Sequence, residues 1–147
     1  VSDHKLRAAK ESDLDAIVSL EECFTARERW SREAWRSELS SEATNVFVVE
    51  APSPVAVASF GNAVDIIELR TIAVSPNHRR NGLAAQLVRE GLKWACGTSA
   101  EQMFLEVAQD NVPAATLYKK LGFELVSRRK SYYGPGRDAL VMARAIR

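Results

Sequence analysis

The sequence predicts a layered domain of the α/β (α+β) class: a mixed, twisted sheet of about seven strands flanked by about four helices, spanning residues 1–147 as a single domain. Three observations carry that expectation. Short apolar, β-branched runs recur between turn residues, as buried strands require. Residues 84–95 instead place Ala84, Leu87, Val88, Gly91 and Ala95 on one face and Gln86, Arg89, Glu90 and Lys93 on the other, the spacing of an amphipathic helix. That helix stands between two strand-like runs. A strand–helix–strand order needs a crossover, so the two strands are expected to be parallel.

In chain order, residues 5–9 form a short strand candidate. Ser12 is placed to cap a helix whose first turn holds Asp13 and Asp15, with Leu14, Ile17, Val18 and Glu21 at helical spacing. Residues 22–29 break that spacing before Trp30. Ser31 is a second capping residue, opening a helix over 32–39 in which Trp35 and Leu39 share a face. Residues 45–51 (NVFVVEA) read as a strand. Pro52-Ser53-Pro54 turns the chain so that 55–60 folds back antiparallel. Gly61-Asn62 is expected to make the next turn, before a strand over 64–74 in which Glu68 shares a face with Ile66, Arg70, Ile72 and Val74.

Gly97-Thr98-Ser99 stops the long helix, and Gln102–Ala108 is a strand. Asn111 caps the following helix, Pro113 stands near its start and Gly122 closes it. Residues 123–132 and 138–146 are two late strands joined by the glycine-rich run Tyr133-Gly134-Pro135-Gly136-Arg137.

Composition bounds the function. A hydrophobic content of 46% and a charged content of 27% are those of an ordinary globular protein. A net charge of +1 argues against a large nucleic-acid footprint, and Arg128-Arg129-Lys130 reads as a solvated strand edge. No apolar run approaches the roughly 20 residues of a membrane span, and residues 1–13 lack the apolar core of a secretory signal, so a cytoplasmic location is expected. Cys23 and Cys96 read as small buried hydrophobes. His4 and His78 have no metal-ligand spacing, no metal site is expected, and His78 reads as solvated.

The informative stretch is 71–95. Thr71-Ile72-Ala73-Val74 ends a strand, Ser75-Pro76-Asn77 breaks it, and Arg79-Arg80-Asn81-Gly82-Leu83-Ala84 leads into the helix. Unpaired amides at a helix start, with the helix dipole and two arginines, make an anion cradle suited to phosphate or pyrophosphate. The Gly-Lys-Ser/Thr of a Walker loop is absent, and so is the G-x-G-x-x-G of a dinucleotide fold. What fits is R/Q-x-x-G-x-G/A.

Anything reactive should come from the neighbouring strand and the helix after it, because parallel strands that diverge leave a crevice at their C-terminal ends. Glu106 alternates with apolar residues there, and a carboxylate that loses its hydration becomes a better base. Tyr118 lies on the apolar face of its helix with Ala114, Leu117 and Leu121, where a core role fits equally well. Glu68 is a rival base, equally explained by an ion pair with Arg70 or Arg79. Tyr132 and Tyr133 can hold a peptide backbone or pack the last hairpin.

The R/Q-x-x-G-x-G/A loop after Ile72-Ala73-Val74 resembles the acetyl-CoA loop of the GNAT (Gcn5-related N-acetyltransferase) family. Leu105-Glu106-Val107, Asp110-Asn111 and Ala114-Ala115-x-Leu117-Tyr118-x-x-Leu121-Gly122-Phe123 resemble the second half of a GNAT domain. More narrowly, these motifs with Trp30-Ser31, Tyr132-Tyr133 and residues 139–143 resemble its ribosomal-protein-alanine N-acetyltransferases, the RimI branch. The resemblance implies Glu106 as proton acceptor and Tyr118 as proton donor. It places acetyl-CoA contacts on Ile72, Ala73, Val74, Arg79, Arg80, Asn81, Gly82, Leu83, Ala84, Ala85, Asn111 and Tyr118. Acceptor contacts are expected at Trp30, Glu68, Tyr132 and Tyr133. Arg29 stands where members usually have proline, Thr71 replaces a common Asn, and Ala84 replaces the third glycine.

The implied activity is acetyl-CoA-dependent acetylation of a protein N-terminus, such as the terminal alanine of a small-subunit ribosomal protein. A GNAT enzyme for small amines or lysine side chains is an alternative, since the cradle does not choose the acceptor. A non-catalytic acyl-CoA-binding module is another.

Overall fold

The computed structural model describes residues 4–23, 29–79 and 81–147. In chain order its elements are β1 (Lys5–Ala8), α1 (Leu14–Leu20), α2 (Arg32–Ser40), β2 (Thr44–Glu50), β3 (Pro54–Ala63), β4 (Ile66–Val74), α3 (Leu83–Ala95), β5 (Gln102–Ala108), α4 (Val112–Lys120), β6 (Glu124–Arg129) and β7 (Ala139–Ala145). The seven strands form one sheet in the order β1-β2-β3-β4-β5-β7-β6. The sheet is antiparallel except where β4 meets β5. The expected mixed sheet, with helices on both faces and a parallel central pair, is therefore present.

Each face carries its own core. One cluster packs Leu83, Leu87, Val88 and Ala95 of α3 and Tyr118 of α4 against Phe47, Phe60, Ile67, Leu69, Met103, Leu105 and Val107. The other packs Leu14, Ile17 and Leu20 of α1 and Trp35 of α2 against Val46, Val48, Val57 and Ala73. Gly91 lets α3 lie close to the sheet: a Cβ there would stand 2.1 Å from the Phe60 ring.

The pairing of β4 with β5 runs only from Ile66–Gln102 to Leu69–Leu105. Beyond Leu69, β4 stays paired with β3 as far as Val74. Glu106, Val107 and Ala108 of β5 stay paired with β7. The two strands thus part, leaving facing edges with main-chain groups that no strand occupies.

Several expectations need correction. Gly61-Asn62 is not a turn, because the β3–β4 ladder continues to Ala63–Ile66 and the loop is Val64-Asp65, with Val64 at φ 53°. A β-bulge also interrupts β4. Ser59 pairs with Thr71 and Phe60 with Leu69, so Arg70 is an extra residue and the alternation reverses. Ile72 and Val74 consequently pack with Ile67 and Leu69, while Ala73 lies under α1 and α2. Glu68 does not share their face.

Ser12 does not cap α1. A short 3-10 turn, Glu11–Asp13, precedes the helix, and the Asp13 carboxylate accepts the Lys10 amide at 2.7 Å and the Arg7 guanidinium at 2.8 Å. Ser31 and Asn111 do cap their helices, accepting the amides of Ala34 and Ala114. The strand expected over 123–132 ends at Arg129, so Tyr132 lies in the following turn. Cys96 is exposed rather than buried, and the side chain of Cys23 lies outside the described part. His78 is half-buried, with its ring 6.0 Å from that of His4.

Candidate active site

The parting of β4 from β5 opens a cleft of about 470 Å³. Its apolar lining is Leu69, Ile72, Leu105, Val107 and Ala108; its polar groups come from Glu68, Arg70, Thr71, Glu106, Asn111 and Tyr118. Arg29 and Trp30 also line it, Trp30 beside Arg70 at the β4 end, as do Tyr132 and Tyr133, beside Arg129 and Arg137 at the other. Eight residues singled out in the sequence thus line one cavity: Trp30, Glu68, Ile72, Glu106, Asn111, Tyr118, Tyr132 and Tyr133.

Glu106 enters the cleft from the end of β5 that has parted from β4, its side chain 22% exposed. The Arg129 guanidinium stands 2.7 Å from Oε2, reaching across β7 from β6. That oxygen nevertheless lacks a well-aligned hydrogen bond, so the contact is an ion pair rather than a fork. Arg129 also lies 5.3 Å from the centre of the Tyr132 ring. The basic edge of β6 is therefore partly committed to the cleft, not simply solvated.

Tyr118 is buried on α4, packed edge-on against Phe123 at 6.0 Å. Burial raises its phenol above the ordinary value, and the nearby Tyr133 adds to the shift. The hydroxyl therefore stays protonated at neutral pH.

The aromatic end is tied down by charge. The rings of Tyr132 and Tyr133 meet edge to face at 5.1 Å. Arg137 reaches the Asp110 carboxylate through Nε at 2.6 Å and a terminal nitrogen at 3.0 Å, while its guanidinium lies 5.8 Å from the Tyr133 ring. This forked pair holds the Asp110 carboxyl below its usual range. It joins the β6–β7 loop to the turn before α4. Glu68 is half-exposed and pairs loosely with Arg70 at 3.5 Å. Arg79 is not its partner; its Nε donates to the Val74 carbonyl at 3.3 Å.

The expected cradle stands beside the cleft rather than in its lining. A 3-10 turn, Pro76–His78, follows β4. Gly82 then adopts φ 75°, a left-handed conformation that side chains with a Cβ resist, and serves as the N-cap of α3 without any side-chain cap. The first intrahelical donor is the Gln86 amide, bonded to the Gly82 carbonyl at 3.0 Å. The amides of Leu83, Ala84 and Ala85 therefore precede the helical ladder. Asn81 and Gly82 are exposed, and Leu83 packs into the core. Arg80 lies outside the described residues. Ala73 turns its methyl toward α1 and α2, away from the cleft.

Four residues at the site are not among the candidate site residues read from the sequence, although Arg70 reads as an ion-pair partner of Glu68 and Arg29 as a departure from the family pattern. Arg29 and Arg70 line the cleft, Arg129 pairs with Glu106, and Glu21 lies just behind the wall. Glu21 left a signal: a carboxylate at the apolar spacing of Leu14, Ile17 and Val18. It is 1% exposed and accepts the Trp30 amide and the Trp35 indole N–H, both at 2.8 Å. Arg129 left none, because its contact depends on the pairing of β6 outside β7.

Among proteins of known activity, the chain is 42% identical over 77 residues to an N-alpha-acetyltransferase of Saccharolobus solfataricus, a match covering 52% of this chain and 46% of that protein. The chain thus spans about half the length of that relative. It is 30% identical over 138 residues to the [ribosomal protein bS18]-alanine N-acetyltransferase of Escherichia coli, covering 92% and 93% of the two chains. The crystal structure of the ribosomal-protein-S18-alanine N-acetyltransferase from Escherichia coli superposes with a TM-score of 0.88 at 27% identity, covering 97% of this chain and 94% of that one. The profile of the acetyltransferase (GNAT) family matches residues 11–123, more than half of the sequence and all of the cleft but its tyrosine end, and the chain belongs to that family.

Proposed function

We propose that the protein is an N-terminal α-amine acetyltransferase that moves an acetyl group from acetyl-CoA to the first residue of a protein acceptor in the cytoplasm, a ribosomal protein N-terminus of the RimI type being the model acceptor. One observation carries the reading: at the parting of β4 and β5, a carboxylate, a buried phenol and two aromatic walls line the same cavity. The donor's pyrophosphate fits the uncapped start of α3, where Gly82 turns the chain and the amides of Leu83, Ala84 and Ala85 point out of the ladder. Arg79 and Asn81 flank it, and Arg80 lies between them in the sequence. The free edge of Ile72, Ala73 and Val74 offers main-chain groups for strand-like pairing with the pantetheine, and Asn111 lies across the cleft.

Acetyl-CoA supplies an acyl carbon already activated as a thioester. A peptide α-amine has a pKa of about 8, so a useful fraction is neutral at pH 7, whereas a lysine amine at about 10.4 is almost wholly charged. A modest base is enough. Glu106 accepts the proton that the amine loses as the N–C bond forms, directly or through one water. Tyr118, kept protonated by burial, donates to the thiolate that leaves. Trp30, Glu68, Tyr132 and Tyr133 hold the acceptor's first residues.

A mass-spectrometric screen of N-terminal peptides, lysine peptides and polyamines with acetyl-CoA tests the reading. Acetylation at the α-amine of an alanine-initiated peptide is expected. Turnover confined to polyamines or lysine side chains would overturn the acceptor assignment. Acetyl-CoA binding in calorimetry, without transfer to any amine, would overturn the enzymatic one.

A further inference from the structure

The acceptor wall of the cleft is held by a carboxylate that never reaches it. Glu21 is 1% exposed, on the turn that follows α1. Its Oε1 accepts two donors at 2.8 Å, the main-chain amide of Trp30 and the indole N–H of Trp35. Its Oε2 accepts the Thr71 hydroxyl at 3.4 Å. Trp30 and Trp35 lie against each other, centroids 4.8 Å apart, and the Arg70 guanidinium is 5.4 Å from the Trp30 ring. Trp30, Arg70 and Thr71 all line the cleft.

A buried carboxylate is a costly way to hold a fold together. Ser31 already caps α2, and Trp35 needs only one acceptor for its indole. What Glu21 adds is convergence. A single oxygen fixes the main chain at Trp30 and the ring on which Trp30 rests, and its twin reaches the strand opposite. Those three points set the width of the cleft between Trp30 and β4.

We infer that Glu21 is a positioning residue for the acceptor: it fixes Trp30 at the mouth of the cleft through the shared Trp30–Trp35–Thr71 contacts, without touching the substrate. The inference rests on the cleft being the site of acetyl transfer. It concerns the reach of an acceptor oxygen, not the presence of a negative charge. Glu21→Gln keeps an oxygen at the same reach. Glu21→Asp keeps the charge and withdraws the oxygen by one methylene.

Two measurements test this on the full chain. In steady-state kinetics with an alanine-initiated peptide, Glu21→Asp is expected to raise the acceptor KM by about tenfold while acetyl-CoA affinity stays within about twofold, since small displacements of positioning groups are felt strongly. Glu21→Gln should stay within about threefold of wild type, the loss of one optimised contact at most. In proton–nitrogen spectra, the Trp35 indole N–H should be protected from exchange in wild type and Glu21→Gln, and exposed in Glu21→Asp. This second readout needs no turnover, so an inactive wild type would sink the acetyltransferase reading while leaving Glu21 independently measured. Equal harm from Gln and Asp would show that charge, not reach, matters, and would overturn the inference. So would an unchanged indole and acceptor KM in Glu21→Asp, or a parallel rise in the two substrates' constants. Should Glu21→Asp not fold, Trp30→Ala decides: it removes the positioned ring, and an unchanged acceptor KM there overturns the proposal.

Discussion

The two halves of the site, the cleft's acceptor wall and the donor edge with the cradle beside it, are built from different materials. On the side expected to take the donor, the working groups are main-chain atoms: the free edge of β4 beyond Leu69, and the first amides of α3 behind a glycine at φ 75°. On the side expected to take the acceptor they are side chains, held by contacts between residues far apart in the chain. Glu21 grips Trp35, Glu38 grips Arg70 at 2.6 Å, and Arg129 grips Glu106 at 2.7 Å. A backbone site tolerates changes of side chain and is broken by changes of conformation. A side-chain site behaves the opposite way. One donor can thus be kept while acceptors vary, because the two halves answer to different substitutions.

The sharpest test of this division lies where the walls meet. Glu106→Gln and Tyr118→Phe are expected to lower kcat by about 10²- to 10⁴-fold each, the range for a lost acid or base. Acetyl-CoA affinity by calorimetry should be nearly unchanged in Glu106→Gln and fall by no more than about threefold in Tyr118→Phe, which keeps the ring and loses one hydroxyl contact to the donor. Wild-type kcat in both variants would remove the proposed roles. A large loss of acetyl-CoA affinity in Glu106→Gln would blur the division itself.

The donor wall is tested at Gly82. A β-branched residue forced to φ 75° costs about 1–3 kcal/mol locally, and here the strain falls on the turn that presents the α3 amides. No neighbour crowds the position, with nothing within 4 Å of a Cβ built there, so conformation alone is changed. Gly82→Val should weaken acetyl-CoA binding by about tenfold, a displacement worth roughly 1.4 kcal/mol, and leave the acceptor KM in place. An acceptor KM that rises as much as the donor constant would show that the walls are not independent.

The same difference in material explains what could be read from the amino acids. The donor side is local. Strand, turn, glycine and helix follow one another within about 25 residues of sequence, and short-range spacing is what periodicity detects. The bounds of Gln102–Ala108 and the Asn111 cap were legible for that reason. What spacing misses is set by pairing with distant strands, on either side of the cleft. The Arg70 bulge reverses which face Ile72 and Val74 occupy, and no composition marks it, because a bulge is set by the pairing partner. The Gly61-Asn62 pair looked like a turn, yet β3 continues through it and Val64-Asp65 takes the loop. Arg129 reads as a solvated edge until β7 is known to lie between β5 and β6. Glu21 is the intermediate case: its apolar-register position was visible, but its partners Trp30, Trp35 and Thr71 were not.

Two buried carboxylates outside the cleft lining carry the remaining predictions, and they have opposite signs. Asp13 is held below the usual carboxyl range, first by its Arg7 hydrogen bonds and then by the Lys10 amide, against the opposing effect of burial. Its contribution to stability is present above the unfolded carboxyl's pKa of about 3.9 and is lost as pH falls through the lower folded value. Asp13→Asn should therefore cost about 1–2 kcal/mol in denaturant unfolding at pH 7, the worth of a charged hydrogen bond, and the gap to wild type should close in strong acid. Glu21 is pushed the other way: burial raises its carboxyl, and the bonds from Trp35, Trp30 and Thr71, with the positive charge of Arg29, only partly offset that. Its stabilising contribution is complete below the unfolded value of about 4.3 and declines as pH rises through the folded one. Glu21→Gln should thus unfold at equal or higher denaturant than wild type at pH 7, by up to about 1 kcal/mol, as replacing a buried charge often does. The advantage should shrink toward pH 4. A destabilised Glu21→Gln at pH 7 would mean the charge itself is paired in the fold, which would move Glu21 from the class of residues that shape the acceptor wall to the class that supports the protein.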